Sequence, residues 1–353
     1  MNRVRIGIIG CGFIAGVHAR VLVENPNVEL VAVCDLAEDR ARSLAGKYGA
    51  KNHYTDFHEM LERESIDAVE ILLPHHLHVE VTVAAAEAGK HLLVEKPMAT
   101  NVYECDRMIQ AARKAGVKLM IAHNKRFDSH NELLKKLVDE GRLGTIVLAR
   151  SVYSINLKTL QDLIPSKWRL QRKKAGGGVL TDMAVHYLDL LRWVVPGEVK
   201  KVSALTALIT EKESLSPDVE DNGVIMLQFT GGAIATVQAS WSIDVPLGLD
   251  EEAEVWGTGG RIRTKAMGMS PSPYHPMQIF FGKDVLGNLN GEIYPNMIFD
   301  PYESFKKEND HFIRCILENE EPRITGEDGR KTIACLEAAY DSAATGKTVA
   351  LLQ

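Results

Sequence analysis

Lys96, within Glu95-Lys96-Pro97, and the pair Asp182 and His186 are the side chains of this 353-residue chain whose types combine into proton chemistry. An interval of four residues puts Asp182 and His186 on one helix face, within reach of each other. A carboxylate beside an imidazole fixes its tautomer and raises its basicity, as taking a proton from an alcohol requires. Asp189, seven residues beyond Asp182, falls on the same face. An Asp–His pair alone is more often structural, so its chemical reading leans on Lys96. A desolvated ammonium can hold a hydroxyl or carbonyl oxygen and stabilise an alkoxide. Pro97 stiffens the backbone and aims that ammonium. The plain alternative is a surface lysine beside a helix start.

The elements that must position these groups begin with Val4-Arg5-Ile6-Gly7-Ile8-Ile9, a β-branched run that reads as a buried parallel strand. It ends in Gly10-x-Gly12-x-x-Ala15. Gly10 permits a tight turn, Gly12 lets a pyrophosphate approach the backbone, and Ala15 lets the next helix pack on the strand. That helix runs to about Glu24, with Phe13, Val17 and Val21 on one face, and its first amides, near Phe13 and Ile14, would hold the pyrophosphate. A second strand, Leu30 to Asp35, ends in an acid twenty residues beyond Ala15. A carboxylate there accepts the adenosine ribose hydroxyls and repels a 2′-phosphate, which favours NAD over NADP. Arg40, one helical turn on, either stacks on the adenine or reaches a phosphate. Asp35 can also cap the helix from about Asp39 to Tyr48.

Strand and helix then alternate to about Asn124: a capped helix from Thr55, strands at Ala68–Leu73, His91–Val94 and Val117–Ala122, a helix over Val79–Ala88, and a capping box at Asn101-x-x-Glu104. The pattern implies a doubly wound sheet of six parallel strands, with ligands beyond the strand carboxyl ends. Three polar segments fall there. Pro74-His75-His76-Leu77-His78 would line the nicotinamide side through Pro74, His75 and His78. Its histidines lack a carboxylate or fourth ligand, so no metal is assigned. Glu95 and Lys96 form the second. His123-Asn124-Lys125-Arg126-Phe127 is the third, and is either a grip for a polyhydroxy or anionic ligand or a solvated hinge.

Beyond residue 125 the periodicity changes. A helix over His130–Glu140 precedes alternating runs at Thr145–Ile155, Lys200–Ile209, Gly223–Phe229, Ala233–Ser242 and Glu251–Trp256. Gly231-Gly232 joins two of them as a hairpin. Val224, Met226 and Gln228 would lie on one face, Ile225, Leu227 and Phe229 on the other. Residues 267–300 read as irregular, and helices near 302–318 and 328–345 close the chain. The expected architecture is α/β plus α+β. It comprises a doubly wound Rossmann domain over 1–124 and a domain over 125–353 with a large, mostly antiparallel, open-faced sheet. Gly176-Gly177-Gly178, ahead of the Asp182 helix, allow close approach by another backbone or a ligand.

Length fits two domains, and a net charge of −6 gives no reason to expect nucleic acid or an anionic membrane as a partner. No run of eighteen apolar residues exists to span a bilayer. Arg3 and Arg5 before Ile8-Ile9-Gly10-Cys11 superficially suggest a lipoprotein signal. The apolar core is too short, and a cytoplasmic protein starting near Met1 is expected. Five cysteines without metal spacing read as reduced thiols.

Together, Gly10-x-Gly12-x-x-Ala15, Asp35, Glu95-Lys96-Pro97, Trp168-Arg169, Gly176 to His186 and the closing 327–347 segment resemble the glucose–fructose oxidoreductase/inositol dehydrogenase/MocA family over nearly the whole chain. The resemblance implies hydride transfer between nicotinamide and a secondary or anomeric carbon of a sugar, glycoside or cyclitol. It also implies an open sheet that mediates homodimers or homotetramers. Lys96 matches the lysine of the family's Glu-Lys-Pro motif, and Asp182 and His186 the pair that accompanies it. Relatives with an export signal and tightly held NADP are not the expected subfamily. On this reading Lys96, Asp182 and His186 are catalytic, with Lys96 and His186 interchangeable as proton acceptor and positioner. Asn124, Arg126, Tyr153, Trp168 and Arg169 would complete the substrate wall. The same chain could run as a keto-sugar reductase, or serve as a nucleotide or sugar sensor without catalysis.

Overall fold

The computed structural model describes residues 3–163, 167–210, 219–243, 249–266, 277–282 and 300–351. They form two compact units. The first joins residues 1–124 to 304–333, and the second joins 125–303 to 334–353. The boundary after residue 124 coincides with the change in periodicity, but the later segment 304–333 returns to the first unit.

The first unit is a parallel sheet of β1 (Val4–Ile9), β2 (Val28–Cys34), β3 (Asn52–Tyr54), β4 (Ala68–Ile71), β5 (His91–Glu95) and β6 (Leu119–Ala122), in the order β3-β2-β1-β4-β5-β6. This is the doubly wound dinucleotide-binding order, whose switch point lies between β1 and β4. Helices α1 (Phe13–Glu24), α2 (Glu38–Tyr48), α3 (Phe57–Arg63), α4 (His78–Glu87) and α5 (Val102–Ala115) connect the strands. Val17 and Val21 of α1 are buried, whereas Phe13, in its first turn, is exposed. Asn101 caps α5 by accepting from Glu104 N at 2.9 Å. The Glu104 carboxylate, however, accepts from Thr100 N and Oγ1 rather than closing the expected reciprocal box.

The second unit adds α6 (Ser129–Asp139), α7 (Leu157–Leu163), α8 (Arg172–Ala175) and α9 (Val185–Val194). Its sheet comprises β7 (Ile146–Ile155), β8 (Val199–Ala207), β9 (Asn222–Phe229), β10 (Ile234–Ser240), β11 (Leu249–Gly257), β12 (Gly260–Ala266), β13 (Met277–Phe281) and β14 (Val349–Ala350). These pair in the order β13-β12-β11-β7-β10-β9-β8-β14, antiparallel except for β7 with β10. In β9, Ile225, Leu227 and Phe229 are buried while Val224, Met226 and Gln228 are exposed, as strict alternation requires. Gly232, with φ +92°, turns the β9–β10 hairpin. Residues 277–281 are a strand, not part of an irregular excursion; residues 267–276 and 283–299 lie outside the described residues.

The returning segment begins with α10 (Glu303–Leu317) and leads into α11 (Gly326–Thr345). It is stitched to the first sheet by Ile121 N to Ile324 O at 3.1 Å, by Asn25 Nδ2 to Asp310 Oδ1 at 2.7 Å, and by a bidentate Arg330–Asp106 pair. It also brings Glu308, fully buried, toward Glu70 of β4, which is ion-paired with His18 of α1 at 2.9 Å. Burial, reinforced by the charges of Glu95 and Glu70, raises the Glu308 carboxyl well above the ordinary range and so favours its protonated form. Burial also works against a charged His18, but the Glu70 carboxylate more than offsets it and raises its pKa.

A carboxyl whose pKa is raised by folding stabilises fully below the unfolded value of about 4.3 and loses that contribution as pH climbs toward the folded value. Glu308→Gln, which carries no such proton, is expected to gain roughly 1–3 kcal/mol relative to the parent between pH 5 and pH 8. Urea denaturation of both proteins at the two pH values measures this, and an equal difference at both would exclude a protonated Glu308.

Candidate active site

In the first unit the functional loops leave the carboxyl ends of β1, β2, β4, β5 and β6. Gly10 has φ +100°, and a Cβ there would sit 2.3 Å from the Leu72 carbonyl oxygen. No other residue allows β1 and β4 to part this closely. A Cβ on Gly12 would meet nothing within 4 Å, and α1 carries neither a side-chain cap nor an acid in its first turn. Its first amides therefore face open space in a field that favours an anion. The donors and the open cradle fit the pyrophosphate of a dinucleotide.

Asp35 is largely buried, and its carboxylate accepts three hydrogen bonds. Oδ2 accepts from Cys11 N at 2.9 Å, while Oδ1 accepts from Ala37 N and Arg40 Nη2, each at 2.8 Å. The acid thus ties the glycine loop to the end of β2. Arg40 lies on the carboxylate itself rather than standing apart for a phosphate. The His75-to-His78 stretch divides. His78 is fully buried, with Nε2 2.8 Å from Leu73 O and Nδ1 3.0 Å from Pro97 O. Burial lowers its pKa, opposed by those carbonyls. It is a tie between the β4 and β5 loops and not the cofactor ligand expected from sequence. His75 is buried beside it, with ring centroids 6.0 Å apart. Pro74, Glu95 and Lys96 are half-buried at the strand ends, and the Lys96–Pro97 peptide is cis. Asn124 is buried and donates to Ser304 Oγ at 3.1 Å.

In the second unit the Asp182 segment starts as a wide π turn over Leu180–Ala184 and continues as α9, with His186 half-buried near its start. Such turns recur at functional sites. What fixes it is Glu220, which the sequence reading missed. This buried carboxylate accepts from Gly178 N at 2.9 Å, Leu180 N at 3.1 Å and Tyr340 Oη at 2.8 Å, and the Glu220 carbonyl accepts from Val179 N. Burial raises the Glu220 pKa against those hydrogen bonds. A Cβ on Gly178 would lie 1.9 Å from Glu220 O, and one on Gly177 the same distance from Tyr340 Oη. The glycines admit protein, not ligand. The signal in sequence was only an acid at the head of a strand, 42 residues from its partner.

Around this helix the expected substrate wall is rearranged. Arg126 is buried and bidentate to Asp189, with both bonds at 2.7 Å, so it serves the core and not a ligand; Asp189 is likewise withdrawn from the Asp182 face. Arg169 Nε lies 3.3 Å from Asp182 Oδ1, and its guanidinium stacks 4.5 Å over Trp168. Tyr153 is buried, its ring centroid 5.9 Å from that of Tyr187, and burial plus the charge of Glu251 raise its phenol pKa well above the ordinary range. Glu251 pairs with Lys125 Nζ at 2.5 Å and accepts from Tyr187 Oη at 3.2 Å. Lys125, Tyr187, Tyr153 and Glu251 thus form one connected cluster beside the Asp182 helix. Among the described residues, no group of three or more His, Cys, Asp or Glu is placed to hold a metal.

The model of the GFO/IDH/MocA oxidoreductase family, with an NAD-binding Rossmann fold, matches residues 4–123, and the GFO/IDH/MocA C-terminal domain matches residues 132–263. The chain belongs to the Gfo/Idh/MocA family. Among Gfo/Idh/MocA relatives, the myo-inositol 2-dehydrogenase of Thermotoga maritima is 31% identical over 98% of both chains. The 1,5-anhydro-D-fructose reductase of Ensifer adhaerens is 30% identical over 97% of both. A levoglucosan dehydrogenase solved with NADH and levoglucosan superposes with a TM-score of 0.90 at 26% identity, covering 100% of each chain. The Rossmann unit and its mixed-sheet companion are thus the Gfo/Idh/MocA architecture.

Gly178→Ala forces its methyl into the Glu220 carbonyl. It is expected to destabilise the protein by about 3 kcal/mol or more, an overpacking cost with no flexible side chain to yield. Thermal unfolding measures it; a change below about 0.5 kcal/mol, ordinary for a surface site, would mean the helix start is not held as described.

Proposed function

We propose that this protein is an NAD-dependent dehydrogenase acting on a CH–OH group of a sugar, glycoside or cyclitol, with Lys96, Asp182 and His186 as its catalytic residues. The observation that carries the reading is the open glycine cradle at the β1–β4 switch point, with Lys96 at the end of the neighbouring strand. Bound NAD supplies the hydride acceptor. His186 takes the hydroxyl proton, Asp182 orients the imidazole, and Lys96 donates a hydrogen bond to the same oxygen as negative charge grows on it. The His78 tie to the Pro97 carbonyl holds the Lys96 loop in place. Trp168, Tyr153 and Asn124 complete the wall on this reading. The reductase among the relatives supports operation in the opposite direction when carbonyl substrate and reduced cofactor are in excess.

An acid at the carboxyl end of β2, with Arg40 bound to it, supports NAD over NADP, because it would accept the ribose hydroxyls and repel a 2′-phosphate. The five cysteines are free thiols, which supports a reducing, cytoplasmic setting. No helix of the described residues is long and apolar enough to cross a membrane. We further propose a homodimer or homotetramer through the open sheet face, where Leu148, Leu205, Val224, Met226 and Ile234 are exposed.

Absorbance of reduced nicotinamide over a panel of cyclitols, aldoses and glycosides tests the activity; NAD binding without turnover of any member would favour the sensor reading. Lys96→Ala is expected to lower kcat by about 100-fold or more, the loss typical of a transition-state donor, while NAD affinity stays within about twofold. Equal losses in both would remove Lys96 from the chemistry. Asp35→Ala is expected to shift the NAD-to-NADP preference toward NADP by about tenfold or more, read from kcat/KM with each cofactor.

A further inference from the structure

Three cations reach the Asp182–His186 helix from two segments of the second unit, Lys125 and Arg126 from one and Arg169 from another, and each is matched to a buried carboxylate. Arg126 is bidentate to Asp189, Arg169 meets Asp182 at 3.3 Å, and Lys125 meets Glu251 at 2.5 Å. The Arg126–Asp189 pair is sealed, with side chains 3% and 1% exposed, whereas Lys125 is 18% exposed beside a Glu251 carboxylate at 4%. Tyr187 Oη donates to the same Glu251 oxygen that Lys125 contacts, so the acid is anchored from two sides. The Lys125 ammonium also lies 5.9 Å from the centre of the Tyr187 ring, next in sequence to His186.

A substrate carboxylate or phosphate brought to this cluster finds each of these three cations already matched. To obtain one it must strip Lys125 from Glu251 and leave a buried carboxylate unpaired, which is the costly half of any buried ion pair. A hydroxyl faces no such conflict, because it donates to a carboxylate and accepts from an ammonium without displacing either. We propose that the second unit selects uncharged polyhydroxylated substrates over their acidic derivatives, with Glu251 as the specificity-determining residue. The inference rests on the dehydrogenase reading above and adds the charge class of the substrate to it.

The test pairs each neutral compound with its acid: glucose with glucuronate, galactose with galacturonate, and glucose with glucose 6-phosphate. Turnover with NAD and equilibrium binding by calorimetry are measured for each. Wild type is expected to favour the neutral member by at least about 100-fold in kcat/KM, and to bind it more tightly. Glu251→Gln keeps an acceptor for Tyr187 but releases the Lys125 charge. It is expected to narrow that ratio by about tenfold or more through a gain on the acid. The double variant Glu251→Gln/Lys125→Gln should lose the gain, which general loosening of the site would not reproduce. Equal use or equal binding of acid and neutral compounds by wild type overturns the inference, as does an unchanged ratio in a Glu251→Gln protein that unfolds at the wild-type temperature. If no neutral compound is turned over, the dehydrogenase reading fails; the calorimetric comparison still decides the charge preference.

Discussion

The carbonyl oxygen of Leu72 occupies the space that a side chain at position 10 would need, only 2.3 Å from where its Cβ would stand. From that contact the mouth of the first unit follows. Gly10 must turn with positive φ, the chain leaves β1 toward α1, and the next main-chain amide, Cys11 N, is delivered to Asp35. Asp35 in turn holds Ala37 N, the residue before α2, and His78 joins the loops after β4 and β5 through two carbonyls. None of these ties uses a bound group. The cradle is built from main chain and buried polar side chains, as preorganisation for an anion requires.

Two glycine-rich turns lead into helices in this protein, and they do opposite things. The turn at Gly10–Gly12 opens outward, with no internal acid on the helix amides that follow. The turn at Gly176–Gly178 is filled from within, because the Glu220 carboxylate already takes the amides of Gly178 and Leu180, and Tyr340 fills the space beside Gly177. A helix start satisfied by its own carboxylate has no field left for an external anion. Two helix starts of similar sequence texture thereby differ in what their amides are left to bind.

That division also marks the limit of what the sequence disclosed. The parallel sheet was legible because each strand–turn–helix unit is local: a β-branched run, a glycine or proline stop, then helical spacing. The alternation in β9 was legible for the same reason. Segment 304–333 was not, since its helices look alike whichever unit they cover, and its attachments are single pairs such as Asn25–Asp310 across 285 residues. The polar segment at 123–127 was dense in donors, yet its arginine is consumed by Asp189, 63 residues on, and its lysine by Glu251, 126 residues on. Residue type reveals capacity for a contact; only the fold assigns the partner. The Gly10 loop stood out early because its contacts belong to the backbone.

Buried charge in this chain is handled in two ways, and the contrast bears on function. Glu308, its carboxyl raised well above the ordinary range by burial and by the charges of Glu95 and Glu70, costs stability as pH rises. Around the Asp182–His186 helix, buried acids are each paired with a cation: Arg126 with Asp189, Arg169 with Asp182, Lys125 with Glu251. Such pairs seldom stabilise more than well-packed apolar side chains would, because both partners surrender hydration. Stability alone therefore gives little reason for three of them beside one helix. Their physical consequence is directional: each long cationic side chain is pinned to one position by its carboxylate. The half-buried imidazole of His186 consequently lies on a helix whose neighbouring charges are held in position by the fold itself, without further reorganisation.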